Sequence, residues 1–431
     1  MIERLSSGQS SGQIADADRL QRISVLMSHP TGNQYVRNAL RSLVERDMLA
    51  EFWTTITWDC ESSLNRLLPS RLQRQFDRRC YENVPKAKLK SFPWRELVRL
   101  LARFSPVEKM LCSGERPFSV IGMFRSFDKK VAGRLDKVHP DAVYAHEGGA
   151  LQTFQAARKL GIKAVYELPS GYWYWERDLS KLEESQNPDF ANMLPKLGDS
   201  EAHMRWKDEE LALADRVVVP SQHVRRTLSG VIPDERIRVV AYGAPAICPR
   251  LEEEKPRSGR PLQILFAGAL HQRKGIGYLI KAAEMLGRDG DLTLIGRRFA
   301  SNRIIDAACR RARWYDSLPH KDLLDMMTRM DVLVLPSLSE GFGMVVTEAL
   351  ACGLPVIVTT NVGAGDLIQD GREGFIVPIA SADAIADKLA ILHKDRDLLR
   401  QMSHNAYETA ANNSWEGYRA NWAKAVRGLF E

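Results

Sequence analysis

Short runs of branched apolar residues alternate with longer segments of helical periodicity along most of the chain. The runs are RISVLMSHP, AEFWTTITW, DAVYAH, KAVYELP, DRVVVPS and RIRVVAYG, then QILFAGA, DLTLIG, DVLVLPS, LPVIVTT and EGFIVP. Each has the length and composition of a buried strand, and several are separated by enough residues for a crossover helix. This alternation predicts parallel sheets covered by helices, the α/β class.

The alternation breaks in APAICPRLEEEKPRSGRP, where four prolines and mixed charge leave no regular period. Because 431 residues also exceed what one hydrophobic core usually organises, we expect two Rossmann-like, doubly wound domains. The predicted divisions are a disordered leader (1–20), a first domain (21–243), a linker (244–261), a second domain (262–412) and a C-terminal helix that crosses back (413–431). Ligands of such sheets bind beyond the carboxyl ends of the strands, so a cleft between the domains is the expected site.

Composition favours a protein that does not span a membrane. The start, MIERLSSGQSSGQIADADRL, lacks the apolar core of a secretory signal, and no apolar run approaches the roughly 20 residues that cross a bilayer. The six cysteines lie far apart, with neither a CxxC pair nor a metal-ligand spacing that includes histidine. We therefore expect buried thiols, a reducing compartment and a cytoplasmic location.

Positive charge is concentrated in one stretch of the first half. Between Asp59 and Lys137, 18 Lys and Arg stand against 9 Asp and Glu. Such a surface suits an anionic membrane, a phosphorylated acceptor or nucleic acid, or is a solvated face. No nucleic-acid recognition motif accompanies the charge, so we expect no such partner. Within the stretch, FPWRELVRLLARF is an amphipathic helix that either lies on an anionic membrane or packs on its own domain.

The segment PSLSEGFGMVVTEALACGLPVIVTTNVGAGDLI places seven residues between Glu340 and Glu348, and the first three of them are Gly341, Phe342 and Gly343. Glycines let the backbone approach a phosphate or a sugar, and amides at a helix N-terminus favour negative charge. If a helix begins near Gly343, Glu348 lies in its second turn and Glu340 in the preceding loop. The two carboxylates can then reach different parts of one ligand.

A second motif, FAGALHQRKGIGYLIKA, runs from a strand through a glycine-rich turn into a helix. Arg273 and Lys274 lie in that turn.

Together these two motifs resemble the retaining GT-B glycosyltransferases of the large family 4. The resemblance implies that Glu340 contacts hydroxyls of a donor sugar, that Glu348 contacts ribose hydroxyls, and that Arg273 and Lys274 neutralise the donor diphosphate. It implies a UDP- or GDP-sugar as cosubstrate, with neither a cofactor nor a metal. The other donor-site residues that it implies are Gly268, Gly296, Leu318, Gly341, Phe342 and Gly343.

The first domain resembles the family more weakly. In VYAHEGGALQ, His146 stands where many members carry a histidine that meets the sugar near its anomeric carbon, although Glu147 is an alternative. In HPTGNQYV, Gly32 and Asn33 occupy the place of a loop over the donor phosphates, but the usual tandem glycines are missing. The four aromatic residues in LPSGYWYWERDL either stack on a sugar or lipid or pack a loop. SWEGYRANWAKAVRGLF resembles the closing helix of this fold.

The function implied is that of a retaining glycosyltransferase, with His146 and Glu340 as catalytic residues and the second domain as the donor site. The acceptor is expected to be a lipid-linked or cell-surface glycan, reached at the inner face of the membrane. Two alternatives stay open, because fold alone does not determine function. One is a nucleotide-sugar epimerase or phosphorylase on the same scaffold, and the other is a non-catalytic protein that binds glycan or membrane.

Overall fold

The computed structural model describes residues 23–59, 79–102, 108–195, 200–248 and 259–431. The predicted leader (1–20) and residues 249–258 of the predicted linker lie outside these ranges.

Two parallel sheets organise the described chain. The strands of the first are β1 (Val25–Ser28), β2 (Leu49–Thr54), β3 (Leu89–Ser91), β4 (Ala142–His146), β5 (Lys163–Glu167), β6 (Arg216–Val219) and β7 (Ile237–Val239). Those of the second are β8 (Leu262–Ala267), β9 (Gly290–Ile295), β10 (Arg313–Tyr315), β11 (Val332–Leu335), β12 (Val356–Thr359) and β13 (Gly374–Val377). Their orders are β3-β2-β1-β4-β5-β6-β7 and β10-β9-β8-β11-β12-β13. The prediction of two doubly wound α/β domains is confirmed.

Helices cover the faces of both sheets. Those that follow first-sheet strands are α1 (Gln34–Glu45), α2 (Trp94–Ala102), α3 (Glu108–Cys112), α4 (Val120–Ala132), α5 (Leu135–Val138), α6 (Leu151–Leu160), α7 (Trp173–Gln186), α8 (Glu201–Leu213) and α9 (Gln222–Thr227). The later ones are α10 (Ile276–Leu286), α11 (Arg303–Arg311), α12 (His320–Met327), α13 (Met344–Ala351), α14 (Ala382–Lys394), α15 (Arg396–Asn412) and α16 (Trp415–Arg427). Short 3₁₀ turns include Gln272–Lys274 and Gly363–Leu367.

Side-chain caps determine where many of these helices begin. Asn33 caps α1, Ser221 caps α9 and Ser414 caps α16, each by accepting a backbone N–H of the first turn. A cap of this type contributes about 1 kcal/mol to helix stability. The start of each of these helices after its strand is therefore encoded locally.

Apolar side chains cover both faces of the first sheet. Leu26 and Val143 belong to the cluster on one face, whereas Met27 and Tyr144 belong to the cluster on the other. Neighbouring residues point to opposite faces because the strand period is two, and a sheet buried on both faces needs apolar residues at each position. This explains why the central strands are continuous apolar runs.

The last helix joins the two domains. α16 follows the second domain in sequence but packs on α1 of the first, where Ser42 Oγ donates to the carbonyl of Arg419 at 2.6 Å. Trp422 is fully buried, with its ring centroid 5.3 Å from that of Tyr144. The chain thus ends on the first sheet.

A disulfide-bonded cysteine and an exposed helix face bear on the predicted location. Cys80 is disulfide-bonded, so the expectation of reduced thiols throughout is wrong for this residue. α2 exposes Trp94, Leu97 and Leu101, with 45%, 40% and 71% of their surfaces accessible. In the described part of the chain no helix has both the length and the apolar character needed to cross a membrane. Contact with an anionic membrane stays a prediction.

Candidate active site

The strand order reverses between β1 and β4 in the first sheet and between β8 and β11 in the second. Crevices open beyond the carboxyl ends of parallel strands at such reversals. His29 follows β1 and His146 ends β4, while Gly268 follows β8 and Glu340 comes after β11. The fold therefore brings most of the predicted site residues to the two reversal points.

An ion pair joins the turn after β8 to the loop after β11. Lys274 ends the 3₁₀ turn, and its Nζ pairs with a carboxylate oxygen of Glu340. The backbone of Glu340 is held independently, because its N–H donates to Asn361 O at 3.0 Å and its carbonyl accepts from Gly363 N–H at 3.0 Å. Two motifs that are distant in sequence thus meet in one place.

Arg273 faces a carboxylate from the first domain. Its Nη1 lies 3.8 Å from Oε2 of Glu176, a residue of α7 that is only 4% exposed. Burial raises the pKa of Glu176, while Arg273, Ser339 and Lys274 act in the opposite direction. The two cations therefore lie beside two carboxylates, Glu176 and Glu340. Charged groups that are shielded from water need oppositely charged partners such as these carboxylates.

Lys274 holds its proton less tightly than an exposed lysine does. Burial, together with the positive charge of Arg273, lowers the pKa of Lys274 to about 8, and Glu176 partly opposes the shift. An anion bound beside this ammonium would favour its charged form. The turn can thus hold an anionic group such as a phosphate, with a charge that responds to pH slightly above neutrality.

Glu348 lies on the helix that the sequence predicts. α13 begins at Met344 with Gly343 as its N-cap, so Glu348 lies in the second turn. Its Oε1 is 3.0 Å from Nε2 of His320, and only 14% of its side chain is exposed. Burial raises the pKa of Glu348, and His320 acts against the shift. The carboxylate and the imidazole form a polar pair that can hold hydroxyl groups.

The other predicted donor-site residues lie in the turns after β8, β9 and β10 and in the loop before α13. Gly268 N–H donates to Ile295 O at 2.9 Å, and Gly296 N–H donates to Tyr315 O at 2.8 Å. A Cβ on Gly296 would lie 1.9 Å from Gly268 O, so the two turns are in backbone contact. Leu318 is partly buried against the core, and Phe342 is buried with its ring centroid 5.0 Å from that of Tyr242.

His146 is buried beside a second histidine. Its ring centroid is 4.5 Å from that of His29 and 5.0 Å from that of Phe124. Neither ring nitrogen of His146 has a hydrogen-bond partner among the described residues. Burial lowers its pKa to about 4, so the ring is neutral at physiological pH. Both nitrogens are thus buried as well as unpaired, and the predicted contact of His146 with a sugar stays a prediction.

His29 also organises the loop that contains Gly32 and Asn33. Its Nδ1 accepts the N–H groups of Thr31, at 3.2 Å, and Gly32, at 2.9 Å. Gly32 has φ +56°, and a Cβ there would lie 2.3 Å from Tyr81 Oη, so glycine is required. Asn33 Oδ1 accepts Val36 N–H as the cap of α1. The Thr31 and Gly32 amides are occupied, and the predicted role of Gly32 and Asn33 as phosphate contacts stays a prediction.

Sequence reasoning missed several side chains of this region. Glu176, His29, His223 and Ser339 are all nearly fully buried and lie at or beside the predicted residues. The only available signal was position, since His29 directly follows β1 and Ser339 directly precedes Glu340. The aromatic run proves to be the beginning of α7, where Trp173 donates to Asp208. Among the described residues, no group of three or more His, Cys, Asp or Glu side chains could hold a metal ion.

The hydrogen bonds of His29 generate a prediction about the loop. In His29→Asn, Oδ1 replaces Nδ1 as the acceptor, so the Gly32 amide should stay protected from hydrogen exchange. In His29→Gln, the acceptor is displaced, and an amide left without a partner costs about 1–3 kcal/mol of unfolding free energy. Hydrogen-exchange mass spectrometry of the peptide around residue 32 and urea unfolding measure these effects. Equal behaviour of the two variants would contradict the role of Nδ1.

The sequence is similar to those of known glycosyltransferases over part of its length. Residues 249–409 match the family described as Glycosyl transferases group 1. The chain is 31% identical to a D-inositol 3-phosphate glycosyltransferase of Paenarthrobacter aurescens over 198 residues, which are 42% of this chain and 48% of that protein. A protein of the same name from Corynebacterium glutamicum is 31% identical over 243 residues, 50% and 58% of the two chains. The matches thus span about half the length of these relatives.

Solved structures resemble the fold over nearly the whole chain. Sucrose-phosphate synthase from Thermosynechococcus elongatus aligns with a TM-score of 0.65 at 17% identity, covering 95% of this chain and 99% of that one. The Anabaena protein HepE, solved in complex with UDP, aligns with a TM-score of 0.60 at 15% identity, covering 94% and 100%. The match of residues 249–409 confirms the resemblance to glycosyltransferases inferred from the motifs of the second domain, and the solved structures show that the chain has the GT-B fold.

Proposed function

We propose that this protein is a retaining glycosyltransferase that moves a sugar from a nucleoside diphosphate sugar to a glycan or lipid-linked acceptor. The observation that carries the proposal is the meeting of Arg273, Lys274 and Glu340 at the carboxyl ends of β8 and β11. Two cations at a strand-order reversal suit a diphosphate, and a carboxylate beside them suits sugar hydroxyls.

The leaving group determines what these residues must do. As the glycosidic bond breaks, negative charge grows on the diphosphate, and Arg273 and Lys274 stabilise it without reorganisation because they are already held in place. Glu340 orients the sugar, and Glu348, paired with His320, holds the ribose hydroxyls. His146, in the first domain, contacts the sugar near its anomeric carbon. The departing phosphate oxygen takes the proton of the acceptor hydroxyl, so the new bond forms on the face that the leaving group occupied.

The donor is a UDP- or GDP-sugar, and no metal or cofactor takes part. HepE, one of the structural neighbours, is solved in complex with UDP and with UDP-glucose, which supports a uridine donor. The acceptor site belongs to the first domain. The exposed apolar side chains of α2, beside the basic residues of that region, support contact with the anionic inner face of a membrane. Co-sedimentation with anionic and with zwitterionic vesicles tests this contact, and equal sedimentation would contradict it.

Thermal unfolding tests the donor site directly. UDP, GDP, ADP and dTDP, each with and without magnesium, should give one selective increase in melting temperature. A ligand at a hundred times its Kd stabilises the folded state by about 2.7 kcal/mol. Lys274→Ala and Glu348→Ala should abolish the shift, because they remove the diphosphate and ribose contacts.

Lys281→Ala, an exposed lysine on α10, is the matched control and should keep the shift. No shift with any nucleotide would favour the alternative of a non-catalytic binding protein. A shift accompanied by a rearranged nucleotide sugar, with no transfer, would favour an epimerase.

The lowered pKa of Lys274 predicts how diphosphate binding depends on pH. The charged ammonium is the binding form, and its pKa is about 8 in the free protein. Affinity should therefore be constant below that pH and fall by about tenfold for each pH unit above it, as expected for linkage to one proton. Lys274→Arg should remove this dependence, because a guanidinium stays charged throughout the range. Isothermal titration calorimetry between pH 6.5 and pH 9.5 measures it, and identical slopes for the two proteins would contradict the assignment.

A further inference from the structure

The hydroxyl of Ser339, in the loop after β11, lies between two side chains of the first domain. Ser339 Oγ donates a hydrogen bond to Oε1 of Glu176, on α7, and lies 3.0 Å from Nε2 of His223, on α9. The three residues are 1%, 4% and 2% exposed, respectively. Because water is nearly excluded, each polar atom depends on the others for its hydrogen bonds.

Counting hydrogens assigns the direction of both bonds. A serine hydroxyl has one hydrogen, and it is directed to the carboxylate of Glu176. His223 must then donate from Nε2 to the oxygen of Ser339, so Nε2 carries the proton of the neutral ring. Burial, with a smaller effect of Arg226, lowers the pKa of His223 to about 4, which keeps the ring neutral at physiological pH. The three groups thus form one consistent hydrogen-bond chain across the domain boundary.

The first domain contacts the same loop on the other side of Glu340. Ser221 Oγ donates to the carbonyl of Gly341 at 2.7 Å. A Cβ on Gly341 would lie 2.0 Å from the carbonyl oxygen of Pro169, so the two backbones touch. Glu340 is therefore flanked by residues that are both bonded to the first domain.

We propose that Ser339, Glu176 and His223 form an interdomain latch that sets the position of Glu340 relative to His146. This inference rests on the proposed function. In that reaction Glu340, in the second domain, orients the sugar. His146 and the acceptor approach the same sugar from the first domain. The relative placement of the domains then determines whether the reacting atoms align, and displacements of about 1 Å can cost a hundredfold in rate. Ser339 is a positioning residue, joined to Glu340 by a peptide bond.

Ser337 supplies a matched control for the central experiment. Its hydroxyl is also buried and lies two residues away, but it has no hydrogen-bond partner among the described residues. Ser339→Ala should lower kcat about tenfold or more, the effect of losing a hydrogen bond to a charged group. The Kd of the nucleoside diphosphate should change less than about twofold, since the side chains of Arg273, Lys274 and Glu348, which are proposed to contact it, are all retained. Ser337→Ala should leave both kcat and Kd unchanged.

Substitution of His223 tests the direction of the second bond. In His223→Gln, the side-chain amide can donate from the position of Nε2, so this variant should retain most of the wild-type kcat. In His223→Asn, the shorter side chain cannot reach the oxygen of Ser339, so kcat should fall. An unchanged kcat in Ser339→Ala, equal losses in the two serine variants, or equal losses in the two His223 variants would overturn the latch. The His223 pair decides the matter if Ser339→Ala fails to fold.

Hydrogen exchange separates failure of the latch from failure of the proposed function. If the wild-type protein neither binds a nucleoside diphosphate nor transfers a sugar, the proposed function is wrong. The latch is then tested by exchange of the peptide covering residues 337–343. Faster exchange in Ser339→Ala, with wild-type exchange in Ser337→Ala, supports the contact, and equal exchange in all three proteins overturns it.

Discussion

The ion pair between Lys274 and Glu340 is the contact on which the rest of the site depends. It joins the turn after β8 to the loop after β11, the two strands between which the order of the second sheet reverses. Parallel strands bring their carboxyl ends to one edge, so this pair forms when β8 and β11 lie side by side in the sheet. The α/β architecture thus brings two motifs that are distant in sequence to one place.

Burial of charge explains why the first domain takes part in that site. Arg273 and Lys274 are packed close together, and two cations in a poorly solvated place repel each other unless carboxylates lie beside them. Glu340 comes from the same domain, but Glu176 comes from α7 of the first. Through Glu176 and its bond with Ser339, the electrostatics around Arg273 and Lys274 depends on where the first domain lies.

Much of this architecture could be read from the sequence, for reasons that differ between elements. Central strands such as β4 and β11 are buried on both faces and appear as continuous apolar runs. The edge strands β3 and β10, with the sequences LKS and RWY, have only 3 residues each, none of them buried, and carry no such run, so the sequence does not reveal them. Glycine spacing and helix position single out Glu340, Glu348, Arg273 and Lys274 in the sequence, and their roles at a donor site stay predictions. Glu176, His223 and His29 act through contacts between distant segments, which periodicity cannot reveal.

The anomeric configuration of the first product tests the central claim most directly, and it does not require the acceptor to be known. Water can replace an absent acceptor, so the protein should slowly hydrolyse an α-linked nucleoside diphosphate sugar. Proton NMR follows the free sugar before it mutarotates. The account predicts that the α-anomer appears first, together with the nucleoside diphosphate. If the β-anomer appears first, attack comes from the face opposite the leaving group, and the roles assigned to Arg273, Lys274 and the departing phosphate oxygen are contradicted.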